Sequence, residues 1–175
     1  MYTYEVEQFS EDWDTPRDWD NLGVIVTWHR RYAIGDIQPS MPPSEWLAEL
    51  YKADPSAVVL PVYMYDHSGI TISTSPYGCE WDSGQIGYIY TTLDRVQKYY
   101  KDDWRRMTKA RRATCEVLLN DEIKIYDQYL RGEVYRYLIK DDDGEIVESG
   151  HGYYERDYCE SEAQAMIKYL MQKAA

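Results

Sequence analysis

Phenylalanine is almost missing from this sequence: one residue, Phe9, stands against nineteen tyrosines and six tryptophans. A buried tyrosine must find a partner for its hydroxyl, so a chain that replaces Phe with Tyr sets many rings where one edge stays wet. Such rings suit interfaces and base-stacking surfaces, and equally a small α+β domain with a shallow core. Cysteine is scarce and odd in number. Cys79, Cys115 and Cys159 lie far apart without C-x-x-C spacing, and only His29, His67 and His151 are there to join them. This argues against a disulfide framework and gives zinc weak support; free thiols are expected. Cations are short too, 19 Lys and Arg against 31 Asp and Glu, for a formal net charge of −12. A surface that holds nucleic acid all over would need those cations for phosphate contacts. An acidic field instead steers a chain toward a basic groove, or simply keeps it soluble. No apolar run reaches membrane-spanning length and the first residues lack the pattern of a signal peptide, so no membrane partner is expected.

What is present centres on Val58 to Tyr90. Three runs rich in β-branched residues and tyrosine, Val58 to Tyr65, Gly69 to Ser75 and Gln85 to Thr91, read as consecutive strands. The first two form a hairpin through Asp66-His67-Ser68-Gly69. Further strands are expected at Tyr2 to Gln8, Leu22 to His29, Glu133 to Ile139 and Glu145 to Glu148, the last pair joined by an Asp141-Asp142-Asp143-Gly144 turn. That turn lacks the downstream ligands of a calcium loop. Helices are expected from Glu45 to about Ala53, capped by Ser44, from Leu93 to Tyr100, over Asp103 to Gln128 with a break near Asn120-Asp121, and from a Ser161 cap to about Gln172. The stripe Trp46, Leu47, Leu50 and Tyr51 on the first of these reads as core. With neither internal repeat nor long linker, residues 1–175 read as one α+β domain, a mainly antiparallel sheet that takes in about five to six of these strands, with about three of the helices packed on it.

Chemistry gathers at the polar corners. His29, Arg30, Arg31 and Tyr32 follow a strand in succession, and alternation puts His29 and Arg31 on one face, Arg30 and Tyr32 on the other. With Asp66, His67 and Glu80 they supply what metal-independent RNA cleavage needs: a base for the 2′-hydroxyl, an acid for the leaving oxygen and a cation for the phosphorane. In that reading His67, oriented by Asp66, moves one proton, His29 or Glu80 the other, and Arg30 or Arg31 clamps the phosphate. The plainer alternative is that His67 and Ser68 only hydrogen-bond within a turn. A serine nucleophile at Ser68 or Ser83 lacks the G-x-S-x-G elbow. Cys79 with His67 and Asp82 lacks the cations that stabilise a thiolate. Gly78, Gly84 and Gly87 precede a strand and are not a phosphate loop, so no cofactor and no metal are expected. Arg105, Arg106, Lys109 and Arg112, with Lys101 and Arg111, make the one concentrated basic patch. It either contacts nucleic acid or answers the acidic segment Glu11, Asp12, Asp14, Asp18 and Asp20. That segment, interleaved with Trp13 and Trp19, reads as a partner-docking stretch, a divalent-metal binder or a solvated loop.

The blocks Pro16-Arg17-Asp18-Trp19-Asp20-Asn21-Leu22-Gly23, Trp28-His29-Arg30-Arg31-Tyr32, Tyr65-Asp66-His67-Ser68-Gly69-Ile70 and Trp81-Asp82-Ser83-Gly84-Gln85-Ile86-Gly87 carry a resemblance. So does the later run Tyr126 to Tyr135. The sequence resembles a family of small proteins encoded by bacteriophages, plasmids and integrative elements of Gram-positive bacteria, for which no catalytic assignment is established to carry over. The resemblance implies genomic company: small acidic proteins of mobile elements often inhibit host defence, as anti-CRISPR and anti-restriction proteins do. It implies a cytoplasmic location in the host bacterial cell. The implied partner is a Cas nuclease or another nucleic-acid-handling defence complex, or a guide RNA. A small ribonuclease and a non-enzymatic accessory protein of a phage or plasmid are the alternatives.

Overall fold

The structure, a computed structural model, describes residues 1–9, 15–79, 81–101 and 104–173. Its elements run β1 (Thr3–Gln8), β2 (Val24–Thr27), α1 (Pro43–Ala53), β3 (Val58–Asp66), β4 (Ile70–Ser73), β5 (Ser83–Thr91), α2 (Leu93–Tyr100), α3 (Lys109–Leu130), β6 (Tyr135–Lys140), β7 (Ile146–Tyr153) and α4 (Arg156–Lys173). The chain is α+β and every pairing between these strands is antiparallel, but the seven strands among the described residues divide between two sheets, β2-β5-β3-β4 and β1-β6-β7. The chain forms two compact units: Thr15–Asp127, and Met1–Asp14 with Gln128–Ala175.

In the Thr15–Asp127 unit, the sheet has an apolar interior that includes Ile25, Val26, Val58, Val62, Ile72 and Ile89, and α3 adds Cys115, Leu119, Ile123 and Tyr126. Polar groups of α3 also complete the unit. Asp127 accepts from Thr71 Oγ1 at 2.6 Å and from the Ile72 N–H at 2.7 Å, satisfying backbone on the outermost strand. Glu122 accepts the N–H groups of Leu22 and Gly23, and Arg17, 7% exposed, bridges Glu122 at 3.1 Å and Asp36 at 2.8 Å. The break expected near Asn120-Asp121 does not occur. Asn weakens helices because its side chain competes for backbone hydrogen bonds, and here Asn120 Oδ1 is occupied by Thr74 Oγ1 at 2.6 Å.

Helix α1 departs from expectation twice. It opens on Pro43 at its first position with Pro42 as the capping residue, and Ser44 lies inside it; the fixed φ of proline already suits a first turn. Its stripe is also not core. None of its residues is buried, and Tyr51 is 40% exposed.

In the other unit, α4 packs on β1-β6-β7 around Tyr137, Ile139, Cys159 and Ala163. This helix starts at Arg156, five residues before the expected cap, and Ser161 Oγ donates back to the Tyr158 carbonyl at 3.0 Å. The Asp141 turn is a hairpin as expected: Asp141 Oδ1 accepts from the N–H groups of Asp143 and Glu145, with Gly144 at φ +81°. No helix among the described residues is long and apolar enough to cross a membrane.

Candidate functional site

The ends of β3 and β5 and the loop after β2 bring the chemistry together. β5 pairs with β3 in register from Val58↔Thr91 to Val62↔Gly87, then shifts to Tyr63↔Gln85. Such a bulge re-aims side chains, and it lies at the mouth of an open cleft of about 440 Å³ lined by His29, Asp66, Trp81, Asp82, Ser83 and Gln85 among others. The ladder reaches one step further, with the Asp66 N–H donating to the Asp82 carbonyl at 2.9 Å, and both residues line the cleft.

His29 and Tyr32 do not lie on opposite faces of a strand. β2 ends at Thr27, whose hydroxyl donates to the Ile34 carbonyl at 2.6 Å and closes the following residues into a loop. Within that loop Tyr32 stacks on His29 with centroids 5.2 Å apart and planes 7° apart, and the Tyr32 N–H donates to His29 Nδ1 at 3.1 Å. The Nδ1 lone pair is therefore taken, and the ring proton of neutral His29 belongs on Nε2. Tyr32 donates its hydroxyl to Asp66 Oδ2 at 3.1 Å, while Arg31 reaches the same oxygen at 3.6 Å and covers the Tyr32 ring. Loss of solvent and the bond to Asp66 push the Tyr32 phenol above its ordinary range, so it stays a neutral donor.

Asp66 does not orient His67. Successive residues at a strand end face opposite ways: Asp66 turns to Tyr32, and His67 stacks on Tyr65 at 5.9 Å. The carboxylate beside His67 is Asp82, with Oδ2 3.4 Å from Nδ1; Cys79 Sγ reaches the same oxygen at 3.8 Å. Asp82 thus favours the His67 proton on Nδ1 and leaves Nε2 as the acceptor nitrogen. Among the described residues, neither imidazole Nε2 nor the Arg30 guanidinium has a hydrogen-bond partner. Ser83 is committed to the Cys79 carbonyl.

The basic patch is divided. Arg105, Arg106 and Lys109 are exposed. Arg112 is turned inward, donating to the carbonyls of Ser56 at 2.9 Å and Ala57 at 3.2 Å. It also faces Asp54: burial pushes that carboxyl up, but hydrogen bonds from Ser56 and the Leu93 N–H, with the Arg112 charge, outweigh it and hold Asp54 below its ordinary range. Arg111 covers the Trp104 ring at 4.2 Å. Asp18 is exposed in a 3-10 turn, Pro16–Asp18. Glu11, Asp12, Asp14 and Glu80 lie outside the described residues. Cys115 and Cys159 are fully buried and free; burial pushes the first thiol up and the second to about 11, which leaves both protonated and inert.

Sequence reasoning missed Trp81, 95% exposed at the cleft. The available signal was a large apolar ring in a polar, glycine-containing corner. It also missed an aromatic group beside the cleft, in which Trp46 stacks on Tyr88 at 6.1 Å and Trp28 meets both edge-on. No three His, Cys, Asp or Glu side chains among the described residues cluster to hold a metal ion. Comparison with protein-family models, with curated proteins and with solved structures finds no match.

Proposed function

We propose that the chain is an anti-defence protein of a mobile element that acts on a nucleic-acid-handling complex of the host, with inhibition of a Cas nuclease through cleavage of its guide RNA as the leading form. The observation that carries the catalytic form is the opposite polarity of two imidazoles tied to one open cleft: Asp82, which lines it, stands beside His67 Nδ1 and leaves that Nε2 as a base, and His29, which also lines it, has Nδ1 taken by the Tyr32 N–H and keeps Nε2–H as a donor. His67 Nε2 takes the proton of an RNA 2′-hydroxyl. The freed oxygen attacks the adjacent phosphorus, and the bond to the 5′ oxygen breaks to leave a 2′,3′-cyclic phosphate. The departing oxygen takes a proton from water in the open cleft, and the hydroxide so formed recovers the proton held on His67. His29 Nε2–H and Arg30 donate to the phosphate oxygens as their charge develops. Tyr32 and Asp66 hold the His29 ring in position, and Asp82 balances the His67 charge.

The test is to incubate the protein with a Cas9 and its labelled guide RNA, with and without EDTA, and resolve the RNA on a denaturing gel. Shortened guide bearing a cyclic phosphate, unaffected by EDTA and lost in His67→Ala, is the expected result. Intact guide throughout rules the catalytic form out. The net charge of −12 favours a second reading, in which carboxylates occlude a basic nucleic-acid groove. That form predicts intact guide, lost DNA cleavage, insensitivity to His67→Ala and loss of inhibition on charge reversal at Glu11, Asp12, Asp14 and Asp18. Intact guide with undisturbed DNA cleavage points instead to an accessory binding role.

A further inference from the structure

Next to the cleft is a second hollow of about 270 Å³, lined by Trp28, Pro43 and Tyr88 together with His29, Gln85 and Ile86. The last three also line the cleft, so the two share one wall. The hollow is built rather than incidental. The Trp28 indole N–H donates to the Met41 carbonyl at 2.8 Å, which fixes the ring, and Trp46 packs behind it against Tyr88 and, at 5.1 Å, Tyr90. Helix α1 contributes Trp46 to this group and has no buried residue of its own.

The shared wall is polar in a defined sense. Gln85 Nε2 donates to the Gly87 carbonyl at 3.2 Å, which leaves the amide oxygen as an acceptor without a partner among the described residues. The amide nitrogen of Gln85 keeps its second N–H as a donor. An aromatic slot with one acceptor and one donor on its wall matches a flat ring whose edge carries both a donor and an acceptor. Its volume lies just below the roughly 300–1,000 Å³ of pockets for extended ligands, which suits one ring system. We propose that this hollow is a nucleobase subsite: it takes one unpaired base of a single-stranded nucleic acid, against Trp28 and Tyr88 and hydrogen-bonded to the Gln85 amide, and so seats the adjoining phosphate in the His29–Asp82 cleft. The inference rests on the nucleic-acid reading of that cleft and adds what the cleft alone lacks, a means of selecting unpaired over paired strands, since a base in a duplex cannot enter.

The experiment uses uncleavable probes so that binding is read apart from cleavage. Two fluorescein-labelled 2′-O-methyl pentanucleotides, alike except that one lacks every base, are titrated with the full chain and followed by anisotropy, and the same titrations are read by tryptophan fluorescence. The base-bearing strand is expected to bind about tenfold tighter or more and to quench tryptophan emission, with no quenching by the abasic strand. Gln85→Leu, at an exposed position, and Tyr88→Leu are expected to narrow that ratio to within about threefold, with circular dichroism unchanged for the former. Equal affinity of the wild-type protein for both strands overturns the subsite even if guide RNA is still cleaved. A base preference in a protein that cleaves nothing sustains the subsite and defeats the catalytic reading. Binding of neither strand defeats both.

Discussion

Asp82 carries two contacts on one carboxylate oxygen, His67 Nδ1 at 3.4 Å and Cys79 Sγ at 3.8 Å. Replacing it with Asn keeps the volume and removes the charge that faces His67. Asp82→Asn is expected to lower guide-RNA cleavage by about a hundredfold, the low end of the range for a positioned base, with the RNA affinity little changed; a single-turnover assay checks it. Arg17 shows the opposite use of charge. Its guanidinium loses solvent on burial, yet hydrogen bonds and charge contacts with Asp36 and Glu122 more than compensate and raise it. Breaking a buried pair leaves its partners uncompensated and costs about 3–5 kcal/mol. Arg17→Leu is therefore expected to destabilise the Thr15–Asp127 unit by that amount in urea unfolding, whereas Arg31→Leu, whose ion pair is 75% exposed on the arginine side, costs under about 1 kcal/mol.

Among the elements, β5 sets the cleft through its register. Gly87 sits opposite Thr27 and Val62, and a Cβ there would come within 1.9 Å of the Val26 carbonyl oxygen, a backbone atom that cannot rotate away. Gly87→Ala is expected to cost about 3 kcal/mol or more, through forced separation of β2 from β5, and to lower RNA binding and cleavage together. Amide exchange at Trp28, whose N–H bonds the Ile86 carbonyl, reports the loss locally. Gly84, with open space where its Cβ would be, is the control that tolerates alanine. Helix α3 illustrates why elements are harder to read than residues. An Asn120-Asp121 pair in mid-helix signals a break, yet Asn120, Glu122 and Asp127 are each held by a group from a β-strand or its flanking loop.

On the scale of the whole molecule, the tyrosine-rich composition has a consequence for pH. Burial pushes Tyr153 and Tyr154 up to about 12 and Cys159 up to about 11, from ordinary values of 10 and 9. Each is an acid whose folded form keeps its proton longer than the unfolded form does. Between the two values the native state binds more protons, so stability falls as pH rises. The contribution is complete below about pH 9, declines through pH 9 to 12 and is gone above the folded values. Urea midpoints measured from pH 8 to 11 are expected to fall steadily, and less steeply for Tyr153→Phe, which removes one titrating phenol while keeping the ring against Tyr137 and Tyr158.

The sequence by itself determined the α+β class, the antiparallel hairpins at Ser68 and Gly144, and the presence of Asp66 and His67 where β3 ends, because alternation, turn chemistry and residue type are local properties. Cys79, His67 and Asp82 were also legible as a group from their nearness along the chain. Only the tertiary structure decided that Asp82 rather than Asp66 faces His67, that Tyr32 stacks on His29, that Arg112 turns inward and that the strands divide between two sheets. Those outcomes depend on contacts that no local pattern specifies: the shift at Tyr63↔Gln85, the Thr27 to Ile34 closure and the seating of α3 against β4. The stripe on α1 makes the point most plainly. Helical spacing fixed which residues share its face, and packing alone decided that the face would meet Trp28, Tyr88 and Tyr90 through Trp46 and not a buried core.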